Sequence, residues 1–196
     1  MRRVQPDDLE PDVWLLLHEV RLRGVFDPER GITVTTLIDA GLAVRVPRGV
    51  RVTPEGREAH ATWARVDAGS ELEATIERAY KRFLVLNPEL LRLCHDWQVR
   101  PGGATNDHAD PEYDWAIFDR LSSIDDRVGP LVSSISRVLD RFGNYRARLR
   151  AARRQVDEGA PEWFTSPRID SYHTVWMQLH EDLLLALGKE RASEER

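Results

Sequence analysis

A single cysteine, Cys94, stands among 196 residues. It excludes an internal disulfide and leaves no CxxC pair for zinc or redox chemistry, so a reducing cytoplasm is the expected compartment. Long apolar runs are missing too. Trp14–Leu17 is too short to cross a bilayer, and acids follow Arg2 and Arg3 where a signal peptide needs an apolar core. The chain is therefore expected to be neither secreted nor embedded in a membrane. It has no P-loop, no glycine fingerprint for dinucleotides, no HExxH and no GxSxG elbow. Cys94 and His95 are neighbours on a predicted helix and point about 100° apart, which is wrong for a catalytic dyad. There is no repeat, low-complexity tract or sustained heptad pattern. Catalysis is not the expected role, and no cofactor is expected.

With 41% hydrophobic and 31% charged residues the composition is that of a globular chain, except for a charged end after Gly188. The net charge of −5 is unevenly spread. Residues 1–66 hold ten Arg against ten Asp plus Glu, so the acidic excess falls in 67–196. A general nucleic-acid binder is basic. Any contact with phosphates must therefore come from a local cluster.

Pro11 marks a helix start, and Val13, Leu16, Leu17 and Val20 recur at helical spacing as far as Gly24. His18 lies in this run and is expected to be a satisfied or exposed helix residue. Phe26–Arg30, FDPER, reads as a turn or one helical turn. Thr33–Ala40 is a short helix with Leu37 and Ile38 inward and Thr33, Thr35 and Thr36 outward. Gly41–Arg57 then carries the most specific pattern, GLAVRVPRGVRVTPEGR. Gly41 closes the helix, Leu42, Val44 and Val46 alternate with Ala43 and Arg45, and Pro47-Arg48-Gly49 is a turn. Val50 and Val52 alternate with Arg51. Thr53 then caps a helix with Pro54 in its first position and Glu55 beside the positive end of its dipole.

This helix, hairpin and helix start resembles the wing of winged helix-turn-helix transcriptional regulators, in particular the MarR and PadR groups. There a helix ending in AGL runs into a β-hairpin closed by TP-x-GR. The matched run covers under a tenth of the chain, and about a third counting the implied domain. The resemblance implies double-stranded DNA as partner, a homodimer, Thr33, Thr35 and Thr36 on a recognition helix, and Arg45, Arg48 and Arg51 on the wing. Two departures stand out. Only Val25 to Ala40 separate the first helix from AGL, where the family holds two full helices. The recognition helix also lacks Arg, Lys, Asn and Gln for bidentate contacts with base edges. A hairpin of this kind can also fold between two helices without touching nucleic acid.

Beyond Ser70 every periodic stretch is helical. Leu72, Ile76, Ala79, Tyr80 and Phe83 form one row, which Asn87-Pro88 restarts or kinks and Leu90, Leu91, Cys94 and Trp97 continue. After the loop Gly102–Asp110, Asp110-Pro111 opens a helix that Gly129-Pro130 is expected to interrupt. Tyr145, Leu149, Ala152 and Val156 line another, with Arg146, Arg150, Arg153 and Arg154 on its outer side; that row reads as a salt-bridged face or a second nucleic-acid contact. Ser166-Pro167 is expected to start the last helix, which continues to Gly188.

Two side-chain groups in this part could carry chemistry. His95, Trp97, Trp115, Phe118, Tyr172, His173, Trp176 and His180 could line a pocket for a small-molecule effector, or could be ordinary core. Asp107, His108, Asp110, Glu112 and Asp114, joined in space by His173 and His180, could hold a metal and support a metal-dependent hydrolase, though helix capping already explains acids at a helix start. The spacings match the metal-binding effector domains of GntR-type regulators poorly, and no metal is expected.

The expected fold class is mainly α: an N-terminal winged helix at 9–66, then an antiparallel helical bundle at 70–188 for dimerisation and effector sensing. The expected function is a cytoplasmic, homodimeric DNA-binding regulator. A degenerate winged helix serving as a protein-interaction module, and the metal-dependent enzyme, are the alternatives.

Overall fold

Proline at the first position of a helix loses no hydrogen bond, and α1 begins there, spanning Pro11–Arg23. The computed structural model describes residues 4–5, 8–25 and 31–190. The stretch 26–30, read above as a turn, and the charged end at 191–196 lie outside the described residues. The fold is mainly helical, with one two-stranded antiparallel sheet. Its order is α1, α2 (Gly31–Asp39), β1 (Ala43–Val46), β2 (Gly49–Val52), α3 (Pro54–Ala64), α4 (Glu71–Gln98), α5 (Pro111–Ser136), α6 (Tyr145–Asp157), α7 (Glu162–Thr165) and α8 (Tyr172–Leu187), with a 3-10 turn at Asp140–Phe142. The chain divides into two compact units, residues 1–70 with 181–196, and residues 71–180. Residues 181–187, read from the sequence with the bundle, thus group with the first unit.

In the first unit α1 packs on α2, α3 and β2. Val13, Trp14, Leu16, Leu17 and Val20 from α1 meet Val34 and Leu37 from α2 and Leu42, Ala43, Val50 and Val52 from the hairpin. α2 ends where Gly41 takes φ 72°, which lets the amides of Gly41 and Leu42 turn back to the carbonyls of Ile38 and Leu37, each at 2.9 Å. Thr53 then ties three elements together. Its hydroxyl accepts from the Gly56 amide at 3.0 Å and donates to the Gly41 carbonyl at 2.7 Å, while its own amide donates to Leu42 at 3.0 Å. This draws the first turn of α3 so close to Leu42 that a Cβ at Gly56 would lie 2.0 Å from the Leu42 oxygen.

The hairpin pairs Ala43 with Val52, Val44 with Arg51, Arg45 with Val50 and Val46 with Gly49. The sequence alternation puts Leu42 and Val44 in one row, and the structure corrects it. Leu42 is buried in the helix exit rather than in the strand, so the inward residue of β1 is Ala43, and Val44 is 42% exposed. The register leaves Arg45 and Arg51 on opposite faces of the hairpin, since only directly paired residues and those two apart share a face.

In the second unit α4 packs on α5, α5 on α6, and α6 on α7. Both internal prolines sit inside unbroken helices, Pro88 in α4 and Pro130 in α5, so Gly129-Pro130 does not interrupt the helix as the sequence suggests. A mid-helix proline costs about 3 kcal/mol. Here Val128, Leu131, Val132 and Ile135 are fully buried on both sides of Pro130, and their packing, at roughly 1.5–3 kcal/mol each, outweighs that cost. Gly129 is small because the Arg146 guanidinium lies against it, 2.9 Å from where a Cβ would stand. The last helix begins later than Ser166-Pro167 implies. Residues 162–165 form the separate turn α7, and Ser171 caps α8 by accepting from the Thr174 amide at 3.2 Å.

Gly56→Ala is expected to destabilise the first unit by at least about 2–3 kcal/mol, because the new methyl overlaps backbone that cannot yield. Thr53→Ala should cost about 1–2 kcal/mol through the lost cap. Urea unfolding of the two variants beside the parent checks the order.

Candidate functional site

The hairpin tip is built by the short Pro47-Arg48 link between β1 and β2. Arg45, Arg48 and Arg51 are all exposed. Among the described residues none of the three is held by an ion pair or hydrogen bond. The arginines of α1, by contrast, are engaged: Arg21 reaches Glu181 at 2.8 Å and Arg23 reaches Glu19 at 3.3 Å. The three wing cations thus differ from the arginines of α1, while Arg57 and Arg65 of the same unit are exposed like them. Arg48 sits at the tip, with Arg45 and Arg51 flanking it on either face.

On α2, Thr35 is exposed and Thr33 and Thr36 are half-buried, while Val34 and Leu37 face the core. The outward residue one turn beyond Thr35 is Asp39, also exposed. This face offers hydroxyls and a carboxylate but no cation.

The eight residues expected to line an effector pocket separate into different surroundings. Trp97 is 7% exposed and packs against His108 (ring centroids 4.1 Å), Phe118 (5.1 Å) and Phe164 (5.8 Å). Trp115 touches Phe118 edge-on at 6.3 Å but is itself 61% exposed, and His95 is exposed. Tyr172, Trp176 and His180 belong to a second cluster: Trp176 lies 6.2 Å from Tyr172 and 4.8 Å from Phe83, which lies 4.9 Å from His180. The Trp176 indole N–H is satisfied by Asn87 Oδ1 at 2.9 Å. His173 is half-buried, and loss of water around it holds its imidazole below the usual histidine range. These rings fill space between helices. A crease of about 310 Å³ between α4 and α5 is lined by Pro88, Glu89, Arg92, Arg120, Ser123 and Ile124, none of them among the eight.

Of the acidic cluster, Glu112 is exposed and the other members are engaged with neighbours. Asp110 caps α5 by accepting from the Tyr113 amide at 3.2 Å and pairs with Arg100 at 2.9 Å; the Arg100 hydrogen bond and that cap hold its carboxyl below the usual range. Asp114 takes His108 Nδ1 at 3.0 Å and Asn106 Nδ2 at 3.0 Å, and Asp107 accepts from the Ala109 amide. No group of three or more His, Cys, Asp or Glu among the described residues is arranged to hold a metal ion.

Sequence reasoning missed two buried polar networks. In the second unit Asp125 accepts from Arg146 at 2.7 Å and from the Tyr172 hydroxyl at 3.1 Å; burial first, then the Asp125 charge, pushes that phenol well above the usual range. Arg148 joins Asp170 at 3.0 Å, and Arg153 joins Asp157. The basic row of α6 thus splits: Arg146 and Arg153 are engaged within the unit, while Arg150 and Arg154 are exposed. In the first unit His18 on α1 bonds His60 on α3 and Asp182, all three buried. Only the spacing of His60 from the inward-facing Gly56 and Ala64 pointed to its burial, and nothing near it in sequence named its partners.

Cys94 is 8% exposed, and burial pushes its thiol up to about 12. Thiolate is the reactive form, so the native protein at pH 8 should not react with an aromatic disulfide reagent, while the denatured chain should release one equivalent within minutes. A thiol titration with and without denaturant checks this. No helix among the described residues is long and apolar enough to cross a membrane.

Comparison with protein-family models, with curated proteins and with solved structures finds no match at any of the three levels, so the likeness to a winged helix rests on the residues of 41–57 alone.

Proposed function

We propose that the first unit binds double-stranded DNA through its hairpin, as part of a homodimeric transcriptional regulator. The observation that carries this reading is the hairpin itself: three exposed arginines, on both faces and at the tip, with no ion pair among the described residues such as those that engage the arginines of α1. Guanidinium groups so displayed suit phosphates or a narrow minor groove, where no base code is needed. α2 has no bidentate side chain, so the contact positions the protein more than it selects a sequence. A dimer would supply the second contact, with tips about one DNA turn, roughly 34 Å, apart.

A second reading has its own support. Asp39 on the outward face of α2 and the even charge balance of residues 1–66 suit a protein partner better than a polyanion. On that reading the hairpin binds no duplex even at low salt.

Duplex binding followed by fluorescence anisotropy across a salt series separates the two. The parent should bind at low salt and weaken steeply as salt rises. Arg48→Ala with Arg51→Ala should lower affinity by about tenfold and make the log–log salt dependence shallower by about 1 per lost contact. Both side chains are exposed, so stability should not change. Absence of binding at low salt, or binding indifferent to both substitutions, removes the hairpin from a DNA-binding role.

A further inference from the structure

We infer that the buried pair His18–His60, together with Asp182, forms an acid-sensitive joint that holds residues 181–187 and α3 against α1. The inference does not depend on DNA binding. His18 is 6% exposed and His60 and Asp182 are 0% exposed. His18 Nε2 lies 3.1 Å from Asp182 Oδ2, and His18 Nδ1 lies 2.9 Å from His60 Nε2. The two imidazoles stack with centroids 5.1 Å apart, and the Trp63 indole closes over both at 5.7 and 5.6 Å.

The hydrogen count decides what this arrangement tolerates. A carboxylate only accepts, so His18 carries a hydrogen on Nε2. The inner contact then needs one hydrogen between His18 Nδ1 and His60 Nε2. Two neutral rings supply it, with His60 donating. One added proton shared by the pair also supplies it, and balances Asp182. A second added proton does not: both facing nitrogens then carry hydrogens, and two like charges share a buried contact of 2.9 Å. The contact must open.

Of the other charged groups on α1 and α3, Asp12, Glu55, Arg57 and Glu58 are exposed, and the half-buried ones are paired. Arg21 bonds Glu181 at 2.8 Å, and Glu19 bonds Arg23 at 3.3 Å; α3 brings His60 itself and the Trp63 ring. Opening the joint leaves the apolar side of 181–187, with Leu183, Leu184, Ala186 and Leu187 buried, and the Val66 amide bond to Ala186 at 3.0 Å. The consequence is a local loosening in acid rather than loss of the fold.

The test is backbone hydrogen exchange in the full chain, corrected for intrinsic rates, between pH 7.5 and 5, the span over which histidine charges. Protection of residues 181–187 and of the middle of α1 and α3 should fall at least about tenfold across that span. In His60→Gln, whose amide donates to His18 without taking a proton, the change should shrink to under about twofold. His18→Gln makes the same check, since its amide can donate to Asp182 and accept from His60. Equal acid responses in parent and variants, or a flat parent, overturn the inference. Imidazole nitrogen spectra of the parent give a readout without substitution. Uptake of the second proton must coincide with the loss of protection, and two charged rings with protection intact overturn the inference even where neither variant folds.

Discussion

Asp182 is a carboxylate with no exposed surface, and the first unit is arranged to satisfy it. An isolated buried charge is far too costly to persist, and removing one partner of such a network typically costs about 3–5 kcal/mol. The need fixes the rotational setting of two helices. His18 must point inward from α1 between the apolar rows of Leu17 and Trp14, and His60 must point inward from α3 between Gly56 and Ala64. Once α3 is so placed, Thr53 and Gly56 carry that setting to the hairpin, because the Thr53 hydroxyl clasps the end of α2 and Gly56 rests on Leu42. The direction of the arginine tip is thus set, through one helix, by a hydrogen-bonded chain at the centre of the unit.

The second unit handles its charges differently. Asp125 gathers Arg146 and Tyr172 in its interior, Arg127 grips Glu89 with two hydrogen bonds of 2.6 and 2.8 Å, and Arg120 meets Asp96 at 2.8 Å. The exposed pairs contribute little each, about 0–1 kcal/mol. Their effect is on recognition: each matched cation attracts a polyanion less than a bare one. Arg150 and Arg154 of α6 are exposed as well, but they share their helix with the engaged Arg146, Arg148 and Arg153, whereas Arg45, Arg48 and Arg51 crowd one hairpin and all lack such partners among the described residues.

How far the sequence reveals this depends on the range of the interactions. Local chemistry is legible: Pro11, Gly24, Gly41 and Thr53-Pro54 each mark an element boundary within a residue or two, because caps and turns are decided by neighbours. The hairpin is legible too, but its inward parity is not, since that depends on whether Leu42 belongs to the helix exit or to the strand. Pro88 and Pro130 mislead because their cost is local and the packing that overrides it comes from elsewhere along the chain. The tryptophans mislead in another way. Trp97, Trp115 and Trp176 share a residue type but differ in burial and neighbours, and composition alone could not distribute them. His18 reads from the sequence as either satisfied or exposed; it is buried, and its partners lie 42 and 164 positions away, beyond any spacing rule.

The first unit is not a continuous piece of chain: residues 1–70 are completed by the stretch from 181 onward. During synthesis the N-terminal helices and hairpin leave the ribosome well before Asp182 exists. At about 5–20 residues per second, the 110 positions of 71–180 impose a wait of roughly 5–20 s. For that time His18 and His60 face each other without their carboxylate, and the Val66 amide is without the Ala186 carbonyl. The nascent N-terminal segment is thus left exposed to chaperones and proteases, and the unit can finish folding only after residues 181–187 have been translated.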